Sequence, residues 1–155
     1  MSDYLLIKWI HILSSTLLFG TGIGSAFYLL VSTLRRDPVV VAAVARIVVL
    51  ADMLFTATTA VLQPLSGWWM LQVTGMPINQ RWLMWSFALY AVAIGCWLPV
   101  VWLQVRLRDI ATAAAAAGQD LPKAYDRLFA WWLILGFPAF FAFLAIFWLM
   151  VAKPA

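Results

Sequence analysis

The stretch YLLIKWIHILSSTLLFGTGIGSAFYLLVST, residues 4–33, decides the fold class. It is apolar for longer than the roughly 20 residues a helix needs to cross a bilayer. It is also too long for the apolar core of a signal peptide, and no basic stretch precedes it, so it is expected to remain as a helix. Three more apolar runs follow. One extends from Val39 to about Thr74, with the crossing read as 49–73 and 39–48 as an interfacial or extended lead-in. The others give helices at about 81–107 and 127–151. Between the last two lies RDIATAAAAAGQDLPKAYDR, the one sizeable polar segment. Its alanine run favours a short surface helix ending near Gly118, within a polar cytoplasmic loop over 108–126.

Composition requires the same class. The chain has 155 residues, of which 66% are hydrophobic and 10% charged, with mean hydropathy +0.97. A soluble domain this small keeps much of its surface in water and could not hide so much apolar area. The expectation is an all-α polytopic membrane protein: one domain over 1–155, a bundle of four transmembrane helices with lipid as its main partner. The pI near 9.6 does not indicate nucleic acid, because the basic residues sit at helix ends and form no solvated stripe. The single cysteine, Cys96, lies inside an apolar run and can form no internal disulfide.

Charge sets the expected orientation. Arg35, Arg36, Arg46, Arg106, Arg108, Lys123 and Arg127 share one side; Lys8, Arg81 and Lys153 lie on the other. Basic residues mark the cytoplasm, which places both termini on the non-cytoplasmic side.

Polar residues recur at helical spacing. On the first helix Tyr4, Lys8, His11, Ser15, Leu18, Gly22, Ser25 and Leu29 follow a 4-3 rhythm and share a face. On the second, Asp52, Thr56, Thr59, Gln63, Ser66 and Met70 do the same. A polar face in lipid should turn into the bundle. With antiparallel helices His11 meets the level of Gln63 and Ser66, and Met70 that of Tyr4 or Lys8. Ser86, Tyr90, Trp97 and Gln104 make a weaker stripe on the third helix.

His11 is the only histidine. It reads either as a structural histidine bonded across helices, as a ligand for haem or a metal, or as a proton relay. Lys8 either snorkels to the surface or faces an anionic group. Asp52 costs about 2.5–3.5 kcal/mol in lipid on insertion scales, so it is expected either to pair with an arginine near the cytoplasmic end or to serve a proton or ion path. Gly20 and Gly24 form a GxxxG packing face. Trp68–Trp69 and Trp131–Trp132 read as interfacial anchors. Pro64, Pro99 and Pro138 fall inside crossings and can kink them.

The strings YLLIKWIHILSSTLLFGTGIGSAFYLL, LQPLSGWWMLQ, WLPVVWLQVRLRDIA and GFPAFFAFLAIFWLMVAKP resemble a family of small bacterial integral membrane proteins of unknown function. That family looks distantly similar to the CopD copper-resistance proteins and to HemJ-type protoporphyrinogen oxidases, through a K-x-x-H motif on the first helix, here Lys8 and His11. The resemblance implies a four-helix core in the bacterial inner membrane and haem b on His11. Met70 would then be a sixth ligand, Tyr4, Gln63 and Ser66 would line the pocket, and Lys8 would meet a propionate. Bis-histidine ligation would instead require a homodimer or larger homo-oligomer. HemJ-type enzymes also use a lysine on the third helix; this chain has none there, only Arg81 at its edge, so oxidase activity does not carry over. The alternative is a small non-enzymatic transporter, channel or accessory subunit with a polar path from His11 to Asp52.

Overall fold

The computed structural model describes residues 2–154, and among them every regular element is helical. The chain forms α1 (Ser2–Arg35), α2 (Pro38–Ala51), a π-helical turn (Asp52–Thr56), α3 (Ala57–Thr74), α4 (Arg81–Ala116) and α5 (Lys123–Ala152). The π turn joins α2 to α3 without a break. The result is four long rods, each long and apolar enough to cross a membrane.

The rods reach further than hydropathy indicates. The second runs from Pro38 to Thr74, 37 residues or about 55 Å, so 39–48 is helix rather than an extended lead-in. It begins at Pro38 for a local reason. Arg36 turns the chain with φ 60, and Asp37 caps the new helix by accepting from Val39 N at 2.9 Å and Val40 N at 3.3 Å. Likewise the alanine run is no separate surface helix. It continues α4 to Ala116, with Ala111 and Ala114 buried. The helix ends where Gly118 adopts φ 62 and Gln119 N donates back to Ala114 O at 3.0 Å. The polar connection therefore shrinks to residues 117–122.

Packing is uneven along the bundle. The main core joins Leu29, Val41, Val48, Leu107, Ala111 and Tyr125 with their neighbours, all towards the arginine-rich end. There the Thr33 and Tyr125 hydroxyls share a buried hydrogen bond at 2.8 Å. Arg36 pairs with Asp126 across the α1–α2 turn and α5, which holds the Arg36 guanidinium above its ordinary range. The opposite end has only a small cluster of Leu71, Trp82 and Leu83. Midway, Phe19 of α1 bridges to α5, with its ring against Phe140, Phe143 and Phe147.

Two anchor assignments change. Trp68, Trp69 and Trp131 are more than half exposed, as interfacial residues would be, but Trp132 is buried in the main core. A side chain added at Gly20 would meet nothing within 4 Å, and one at Gly24 only Tyr28 of its own helix, so this GxxxG face packs against no other helix of the chain.

Pro64 has a specific structural consequence. Lacking an N–H, it leaves the carbonyl of Ala60 without its helical donor. The Tyr90 hydroxyl on α4 donates to that carbonyl instead. Tyr90→Phe is therefore expected to destabilise the protein by about 0.6–1.7 kcal/mol, the range of hydrogen bonds between membrane helices. Reversible unfolding in mixed micelles would measure it, and an unchanged midpoint would show that the carbonyl is satisfied otherwise.

Candidate functional site

Polarity collects at two levels of the bundle. The first is the seam between α1 and α3. His11 Nδ1 and Ser66 Oγ share a hydrogen bond at 2.8 Å. Gln63 Nε2 donates to the His11 carbonyl at 2.8 Å and to Ser14 Oγ at 2.7 Å. Ser14 Oγ in turn donates to the His11 carbonyl at 3.0 Å. Gly67 lets the helices come this close: a Cβ there would stand 3.4 Å from His11 Cε1. The structure thus brings together His11, Gln63 and Ser66, and it adds Ser14, which is 2% exposed. Ser15, expected on this face, instead donates to Ile12 O along its own helix at 2.7 Å.

The rest of the expected ligand set lies apart from that seam. Lys8 is exposed and rests over the Tyr4 ring at 5.9 Å, the snorkelling arrangement. Met70 is half-buried, one turn beyond Ser66. None of Tyr4, Lys8, His11, Gln63, Ser66 and Met70 lines the large central cavity. The imidazole is wedged against Gly67, between two closely spaced backbones. His11, Gln63 and Ser66 tie α1 to α3, with the imidazole engaged through Nδ1. No group of three or more metal-ligating His, Cys, Asp or Glu side chains occurs among the described residues.

Gln63 is the hub of this seam. Gln63→Leu removes both of its bonds to α1 and leaves Ser14 buried with one partner fewer. A loss of about 1–3 kcal/mol is expected, read as a lower melting temperature by circular dichroism. A variant as stable as the parent would show that the seam is held by packing alone.

The second level is the π turn. Asp52 begins it and is 3% exposed. Its Oδ1 accepts from Thr56 Oγ1 at 3.0 Å, and the Gln104 side chain on α4 faces the same carboxyl group. Among the described residues no basic group lies within ion-pair distance of Asp52, so the arginine partner expected from the sequence is absent; Arg46 is exposed. Asp52 also lies 14 residues into its rod, about 21 Å from Pro38, well away from the helix end. Thr59 is buried one turn past Thr56, with its hydroxyl spent on the Phe55 and Thr56 carbonyls of its own helix.

Asp52, Thr56 and Gln104 stand on the wall of a cavity of about 380 Å³, lined by residues of all four rods, within the usual range for small-molecule sites. Its remaining wall is apolar and aromatic, with Phe19, Trp97, Trp132, Phe140 and Phe143 prominent. The indole Nε1 atoms of Trp97 and Trp132 are buried and have no hydrogen-bond partner, which costs about 1–3 kcal/mol each. π-helical turns arise preferentially at functional sites, and this one carries the buried carboxyl. Spacing alone had marked Asp52 and Thr56, with Gln104 on a weaker stripe. The π turn and the unpartnered indoles carry no sequence signal.

Long apolar rods around a shared polar interior define an integral membrane protein. Residues 5–154 match the family described as "Predicted integral membrane protein (DUF2269)", and the chain belongs to it. No curated protein and no solved structure matches the chain.

Proposed function

We propose that this protein is a non-enzymatic membrane carrier whose working group is Asp52, with the arginine-rich end towards the cytoplasm. One observation supports the reading above the others: a buried carboxyl with no basic partner stands on the wall of the central cavity. An unpaired carboxylate in such surroundings is expensive. Two hydrogen-bonding side chains reduce that cost without removing it. A group of this kind suits a site that alternately holds a proton and a passenger. The haem reading has less support, because His11 is engaged in the α1–α3 seam and lies off the cavity.

Reconstitution into liposomes with a trapped pH-sensitive dye tests the proposal. A potassium diffusion potential should drive proton movement through the parent protein and not through Asp52→Asn. Equal fluxes in the two would overturn it. A Soret band in protein purified from haem-replete cells, lost in His11→Ala, would put the haem reading ahead.

A further inference from the structure

The cavity wall also indicates what the passenger is. We infer that the Asp52 cavity binds lipophilic organic cations, drawn laterally from the membrane between α1 and α5; this rests on the carrier reading above.

Three observations lead there. The first is charge. Asp52 is the one ionisable side chain on the cavity wall. The other polar side chains on the wall are Ser25 from α1, Thr56 from the π turn, Gln104 and Trp97 from α4, and Trp132 from α5. None of these can carry a positive charge, so whenever the carboxyl gives up its proton the counter-charge comes from an occupant. An anionic headgroup would set like charge against the carboxylate.

The second is the chemistry of the wall. Calcium and magnesium take six or more oxygen ligands, from protein and water together. The side chains here supply oxygen from Asp52, Thr56, Ser25 and Gln104, and the Thr56 hydroxyl is already given to Asp52. The rest is apolar and rich in aromatic rings. Phe19, Phe140, Phe143, Trp97 and Trp132 present faces that attract a desolvated organic cation, while an apolar body fills the remaining volume. The two unpartnered indole N–H groups leave a place for an acceptor atom on the same molecule.

The third is access. Ile23 and Phe27 of α1 and Phe137 of α5 line the cavity and are also 42%, 59% and 59% exposed on the outer surface. These residues mark the side, between the two helices, where the cavity comes nearest the outer surface. That is the gap bridged by the Phe19 ring. The gap faces what the exterior chemistry requires to be lipid, where lipophilic cations accumulate.

Tetraphenylphosphonium, assayed by equilibrium dialysis against the full chain in detergent, is a direct probe. The parent should bind it. Asp52→Asn should weaken binding by roughly tenfold or more, as removal of a buried charge partner does. Gly136→Leu supplies a second variant. Gly136 lines the cavity and a Cβ there meets nothing within 4 Å, so the leucine should fold, occupy the volume and block binding with Asp52 intact. Triphenylphosphine oxide, neutral and similar in shape, should fail to compete. No binding by the parent, binding unchanged in Asp52→Asn, or equal binding of the phosphine oxide would each overturn the inference. Asp52-dependent proton movement in the liposome assay, without phosphonium binding, would sink the passenger assignment and leave the carrier reading standing. Loss of both would end both.

Discussion

Asp52→Asn is expected to fold, to melt at or above the temperature of the parent, and to lose Asp52-dependent proton movement. The amide is nearly isosteric with the carboxyl. Its oxygen still accepts from Thr56 Oγ1, now 3.0 Å from Asp52 Oδ1, and it still faces Gln104. What disappears is the charge. No cation within ion-pair distance is left behind among the described residues, so the large penalty for breaking a buried ion pair does not arise. Removing an intramembrane carboxyl also relieves part of an insertion cost of about 2.5–3.5 kcal/mol. Stability and function should therefore move in opposite directions, as expected when a residue is kept for work it does rather than for the fold. Thermal melts by circular dichroism and the liposome assay, run on the same preparation, separate the two roles. A clear fall in melting temperature would make Asp52 a structural residue.

Much of this arrangement is legible in the residues, and what is not has identifiable causes. Four spans follow from hydropathy because lipid leaves the backbone no partner except itself. Hydropathy is silent on where a helix stops once it has left the hydrocarbon. At that point packing and caps decide: Val41, Ala42 and Ala45 are buried in the core that α4 shares, and Asp37 caps the start. Hence the merged rods at residues 38–48 and 108–116. The Asp52–Thr56–Thr59–Gln63–Ser66 face was visible because its 4-3 spacing keeps these residues on one side in spite of the π turn at its start, and four of those five residues are at most 5% exposed. On α1 the same rule selected Ser15, and the structure uses Ser14. Residues three and four past His11 both lie near its face, and only the reach of Gln63 from the other helix selects Ser14 over Ser15. Trp132 was hidden by its neighbour: adjacent residues on a helix point about 100° apart, and so one tryptophan of the pair is exposed and the other is core. The cavity is the least legible feature, since four rods make its wall and spacing within one rod says nothing about the gap between them.

The largest loss of stability is expected from Leu107→Ala. Leu107 is fully buried in the core at the arginine-rich end, among Leu29, Val41, Ala111 and Tyr125. Truncating such a leucine costs about 2–5 kcal/mol, the spread depending on how far the neighbours can close the hole. Two considerations bear on where in that range it falls. Inside hydrocarbon the transfer part of the cost shrinks, because lipid is as apolar as leucine, and lost packing dominates. But α4 has 36 residues, about 54 Å of helix against a hydrocarbon core of about 30 Å. One or both of its ends must therefore project from the hydrocarbon. Leu107 lies between Arg106 and Arg108, a pair that belongs at the boundary, so the water-driven part of the effect is retained and the upper half of the range is expected. Leu98→Ala, at a site 59% exposed on the same helix, is the control and should change stability little. Phe19→Ala should fall between them, because it opens the gap beside the cavity and leaves the packed end untouched. Unfolding in urea or in increasing fractions of dodecyl sulfate would rank the three. If Phe19→Ala proved as damaging as Leu107→Ala, the bundle would be held as firmly around its cavity as at its charged end, and a lateral entrance between α1 and α5 would have no mechanical basis.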